Sequence, residues 1–81
     1  MNELSIEERH LEEADAHIRR AVQSIAEQEQ IFLAVAENSR DRTEAHRLLA
    51  VMRQTLEQFH AHQRLIAERI HALTRDHRAP P

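Results

Sequence analysis

The sequence predicts an all-α fold, an antiparallel two-helix hairpin of the coiled-coil kind. Three observations predict it. The 81-residue chain has no glycine, and its only prolines are Pro80 and Pro81, so its interior lacks the residues that make tight turns. Each half repeats apolar residues every seven positions over more than four heptads, the mark of helices that pack along a seam. The repeat breaks once, across Asn38-Ser39-Arg40-Asp41-Arg42-Thr43. The helix formers alanine, leucine, glutamate, glutamine and arginine make up most of the rest. A single domain over residues 1–81 follows, with a helix over about 5–38, a turn over about 39–42 and a helix over about 43–78.

In the first helix, Leu4, Leu11, Ile18, Ile25 and Phe32 hold heptad position a. Glu7, Ala14, Ala21, Gln28 and Val35 hold d. Large residues at a and small ones at d let a second helix approach closely. Ser5 and Glu8 have the spacing of a capping box, and Glu7 and Glu8 add negative charge where the helix dipole favours it. At the far end, Asn38 or Ser39 can stop the helix.

Asp41 with Glu44, or Thr43, can start the second helix. There Leu49, Leu56, Gln63, Ile70 and His77 hold a, and Ala45, Met52, Phe59, Ile66 and Leu73 hold d. Arg75, His77 and Arg78 place cations in its last turn, and the two prolines end it. Folding back near residue 40 pairs residues whose numbers sum to about 81: Phe32 with Leu49, Ile25 with Leu56, Ile18 with Gln63 and Leu11 with Ile70. Residues 1–37 carry nine acids and three arginines, and residues 38–81 five acids and eight arginines. The acidic helix thus suits the basic one. Exposed ion pairs are worth only ~0–1 kcal/mol each, so their part is to select alignment. Gln28 and Gln63 on the seam either set register or turn to the edge and meet water.

Two helices bury one seam, and chains this small often complete their cores by association. Val22, Ile31, Leu33, Leu48, Val51 and Leu65 are apolar yet off the seam. Of these, Ile31, Leu33, Leu48 and Val51 form the expected interaction patch near the turn. A homodimer closing into a four-helix bundle by two-fold symmetry is the expected assembly.

The seven histidines are the first candidates for chemistry. Glu7/His10, Glu57/His60 and Glu68/His71 have the Glu-x-x-His spacing by which di-metal bundles supply ligands from helices. Glu57 falls at b and His60 at e, while Glu68 and His71 fall at f and b, so these pairs look along the flank or outward. Histidines at successive spacings of 7, 29, 14, 2, 9 and 6 offer no pair three or four apart on one helix. No metal and no cofactor is therefore expected; a metal-binding four-helix bundle using Glu57 and His60 is the alternative. Ser24, Ser39, Thr43, Thr55 and Thr74 show no base-and-orienter arrangement for nucleophilic catalysis, so no enzyme is expected. Without glycine there is no phosphate loop, and without cysteine no thiolate site or disulfide. A net charge of −3 with two aromatic residues argues against nucleic acid. No apolar run approaches the roughly 20 residues of a membrane span, and the acidic start is unlike a leader peptide; a cytoplasmic location is expected.

The runs R-T-E-A-H-R-L-L (42–49) and H-A-H-Q-R-L-I (60–66) resemble those of a group of short, uncharacterised bacterial helical-hairpin proteins. The likeness covers roughly residues 10–70. Members carry a glycine in the turn, where Asn38-Ser39 stands here. The resemblance implies the hairpin fold and no reaction. Fold and composition together lead to one functional expectation: a protein–protein interaction or assembly module whose protein partner the sequence does not name.

Overall fold

A computed structural model describes residues 2–78, and the surroundings of side chains for residues 2–75. The chain forms two long helices, α1 (Glu3–Ala34) and α2 (Arg40–Arg78), packed against each other as a hairpin about 66 Å long and 16 Å by 14 Å across. Among the described residues there is no strand. His77 and Arg78 lie beyond the described side chains, and the two prolines lie outside the described residues.

Burial follows the heptads. Every a and d residue from Leu4 to Val35 and from Ala45 to Leu73 is buried or half-buried. Ala14, Ile25, Ala45, Leu49 and Ile66 are buried, and Ile66 alone is almost sealed, at 1% exposure. This core is thin. Most seam residues keep one edge in water, because two cylinders can enclose only the strip between them.

The helix ends depart from the expected bounds. Asn2 caps α1, accepting the Ser5 N–H through Oδ1 at 2.8 Å. Ser5 is therefore inside the first turn, not the cap. A cap one turn upstream adds backbone hydrogen bonds, such as Ile6 N–H to the Asn2 carbonyl at 3.2 Å, while still satisfying a free donor. α1 ends at Ala34 rather than near 38, with Val35 extended at φ −90° and ψ 153°. Asn38 then takes φ 61°, a left-handed backbone for which asparagine is the best substitute for glycine. It sits third in a turn closed by Ser39 N–H on the Ala36 carbonyl at 3.3 Å. Type II turns ask for glycine or asparagine at that place.

Ser39 starts α2, in place of the expected Asp41 or Thr43. Its Oγ accepts the Arg42 N–H at 3.0 Å, and its carbonyl accepts the Thr43 N–H at 3.2 Å. Asp41 lies in the first turn, where its charge suits the dipole.

The shorter turn moves the register. His17 meets Phe59 and Glu7 meets Arg69, pairs that sum to 76. Asp15 meets Gln63 and Phe32 meets His46, pairs that sum to 78. These contacts correct the expected sum from about 81 to about 77, roughly half a heptad, while the long side chains of Glu29 and Arg53 reach across at a sum of 82; α1 ends at Ala34, so the turn comes earlier than expected. This alignment sets a positions of one helix level with d positions of the other: Phe32 with Ala45, Ile18 with Phe59, Leu11 with Ile66. Large now stands beside small at Phe32/Ala45 and at Ala21/Leu56, which is how two helices keep an even spacing.

Candidate functional surface

In a two-stranded seam, positions g and c lie on one flank and e and b on the other. Antiparallel packing brings g beside g and e beside e. The contacts agree. Glu29 and Arg53, both at e, approach to 3.9 Å. Ile31 and Leu48, both at g, line one groove with Gln28, Val35 and Ala45.

The expected patch divides between these flanks. Ile31, Leu48 and Val51 occupy g, g and c, and all three are exposed. Val51 borders a shallow groove with Ala21, Met52, Thr55 and Phe59. Leu33 is at b. Two residues on from Ile31, it points roughly 160° away around the helix, and at 67% it is the most exposed of the four. It shares the e/b flank with Val22. The structure therefore brings three of the four together and sets Leu33 apart; counting off-seam residues near the turn ignored which way each one faces.

The same flank continues to the open end of the hairpin. Leu65 and Ile6, both at c, are exposed there. Ile6 also lines a groove of about 280 Å³ with Ala72, Leu73, Glu3, Glu7 and Arg69. Ile6 was missed from sequence because the off-seam apolar residues were counted toward the turn, although its c position in the first heptad already matched that of Leu65. Five of the seven large exposed apolar side chains thus lie on the g/c flank.

Polar groups mark the seam at the open end. Gln63 donates to Asp15 Oδ1 at 2.5 Å, so it turns to the e edge, half-buried, and bonds the other helix. Glu7 sits at d with Oε1 3.8 Å from Arg69 and Oε2 3.7 Å from His10. That Oε2 is buried and has no hydrogen-bond donor. At the turn, Arg42 lies over the Phe32 ring, 4.2 Å from its centroid, and donates to the Val35 carbonyl at 3.3 Å. A cation over an aromatic face contributes about 0.5–1 kcal/mol where partly exposed. Arg42 thereby ties the end of α1 to the start of α2.

The histidine pairs stay apart. Glu57 and His71 are exposed, and His60 is half-buried on the e edge. Among the described residues, no three histidine, aspartate or glutamate side chains converge as a set of metal ligands. No described helix is long and apolar enough to cross a membrane. Comparison with protein-family models, with curated proteins and with solved structures finds no match.

Proposed function

We propose that the chain is a non-enzymatic protein–protein interaction or assembly module that acts as a homodimer, two hairpins closing into a four-helix bundle. The observation that carries this reading is the g/c flank, where Ile31, Leu48, Val51, Leu65 and Ile6 stand exposed along one side. Large apolar side chains gathered on one flank, with polar residues between them, support an association site there. Total area supports the same reading. The hairpin exposes 6454 Å² for a mass of 9.5 kDa, whereas a compact monomer of that mass exposes about 5,000 Å². The excess, roughly 1,400 Å², is more than the ~800 Å² each partner gives to a standard interface.

Light scattering coupled to size exclusion tests it. Leu48→Glu and Val51→Glu each set a carboxylate against an apolar partner surface, which weakens self-association by about 100-fold, roughly 3 kcal/mol. Val22→Glu and Leu33→Glu, on the opposite flank, leave it unchanged. A single-chain mass for the unaltered protein at high micromolar concentration refutes the proposal.

A further inference from the structure

The turn is the segment whose sequence least requires its shape. We propose that it is a hinge: it opens into helix, and two copies exchange partners, each α1 packing on the α2 of a second copy in a rod of two long antiparallel helices. The second copy is then held by the seam and not by the g/c flank, so this inference does not rest on the proposed bundle.

Five residues, 35–39, connect Ala34 to Arg40. They read Val-Ala-Glu-Asn-Ser, with neither glycine nor proline to oppose a helix. The reversal of the chain depends on Asn38 at φ 61°, a backbone that residues with a side chain resist. The turn is closed by Ser39, whose N–H and Oγ both donate to the Ala36 carbonyl, at 3.3 Å and 2.6 Å. A short connection under strain is the kind that promotes exchange of elements between copies.

The heptads carry on through it. Phe32 and Val35 are the last a and d residues of α1, and Arg42 and Ala45 are the first of α2. From Phe32 to Arg42 is ten residues, one heptad plus three. A continuous coiled coil accommodates a three-residue insertion by overwinding locally. An opened chain therefore keeps its apolar stripe along one side of a single helix, with a twist at the hinge.

Exchange loses nothing from the seam. His17 on Phe59, Asp15 with Gln63 and Glu29 with Arg53 all join α1 to α2, and each re-forms between copies. The hinge gains helical hydrogen bonds and releases Asn38 from its left-handed backbone. Against this stands the cost of joining two chains, which falls as concentration rises. The hairpin thus prevails in dilute solution, and the exchanged pair grows with concentration.

Spin-label distances within one full chain test the hinge. The sequence has no cysteine, so Gln23→Cys with Gln54→Cys gives two label sites, both at exposed f positions. The labelled chain is unfolded in urea with an excess of unlabelled chain and refolded at high micromolar concentration. Each measured distance then lies within one copy. In the hairpin, about 16 Å wide, the two labels stand level and less than about 30 Å apart. In the opened chain, 31 residues of continuous helix separate them by about 46 Å at 1.5 Å per residue. Asn38→Ala, which favours helix and disfavours positive φ, shows the long distance, its share rising with concentration. Asn38→Gly lowers the exchange constant by about 100-fold or more relative to Asn38→Ala, since each pair contains the residue twice. Adding Leu48→Glu leaves the long distance in place, because the flank takes no part. Only the short distance in Asn38→Ala overturns the hinge. If a two-chain mass by light scattering accompanies that short distance, the bundle of hairpins still stands; a single-chain mass removes both.

Discussion

Ile66 and Leu65 are neighbours in sequence with opposite surroundings, and truncating each to alanine separates the hairpin's own core from its outer flank. Ile66 is 1% exposed and Leu65 54%. Ile66→Ala removes three carbons from the most enclosed site in the seam. Large-to-small changes in such places cost about 2–5 kcal/mol. The lower half of that range, about 2–3 kcal/mol, applies here, because a two-helix core has half-open neighbours free to close over the space. Domains of this length hold about 4–12 kcal/mol in all, at 0.05–0.15 kcal/mol per residue. The loss is therefore at least about a sixth of the total, and the melting temperature falls by about 8–24 °C, taking 4–8 °C per kcal/mol. Urea unfolding followed by helical circular dichroism, run at two protein concentrations, is the assay. The effect of Ile66→Ala is similar at both. Leu65→Ala is nearly neutral at the lower concentration and costs more at the higher one, where association contributes to stability. If Leu65→Ala destabilises as much as Ile66→Ala in the dilute sample, the heptad assignment is wrong by one residue and the flank argument fails with it.

Two further substitutions test the turn and the seam. Ser39→Ala removes the acceptor for the Arg42 N–H and lowers stability by about 1 kcal/mol, while Asn38→Gly, relieved of a side chain at φ 61°, is neutral or slightly stabilising; thermal melts compare them. Gln63→Leu gives up the bond to Asp15 but adds an apolar residue at a seam position, so it raises the melting temperature by a few degrees and relaxes register; an unchanged or lower melt would mean that the cross-helix bond matters more than apolar burial there.

The two helices, their sides and their seam were legible because the heptad is a physical periodicity. A residue seven places on returns to nearly the same face, so a and d residues had to be covered by whatever packed against them. The register was less legible, and the reason lies in the repeat itself. Val35 and Arg42 continue the d and a series into the turn, so the pattern does not say where the helix stops. Backbone chemistry decides that. Asn38 accepts a left-handed conformation, Ser39 caps, and the break falls some three residues earlier than the loss of apolar character suggested. The same limit applied to the surface. Ile31 and Leu33 are close in sequence and both apolar, but only angular position separates a flank from its opposite.

The open end supplies a last test that joins stability to assembly. Its seam holds Glu7, Gln63 and the half-buried Leu73, whereas the turn end has Ala45 and Leu49 buried and is tied together by Arg42 and the turn itself. A hairpin alone should open from the end that the turn does not join, so amide hydrogens of residues 66–75 exchange faster than those of 45–54, with roughly the ordering expected of local unfolding. The proposed homodimer covers the g/c flank along its length, so raising the concentration slows exchange at both ends, and most where the isolated hairpin opens most readily. Exchange measured by mass spectrometry at two concentrations checks this without any substitution. If residues 45–54 exchange faster than 66–75 in the dilute sample, the thin seam at the open end is not where the hairpin yields.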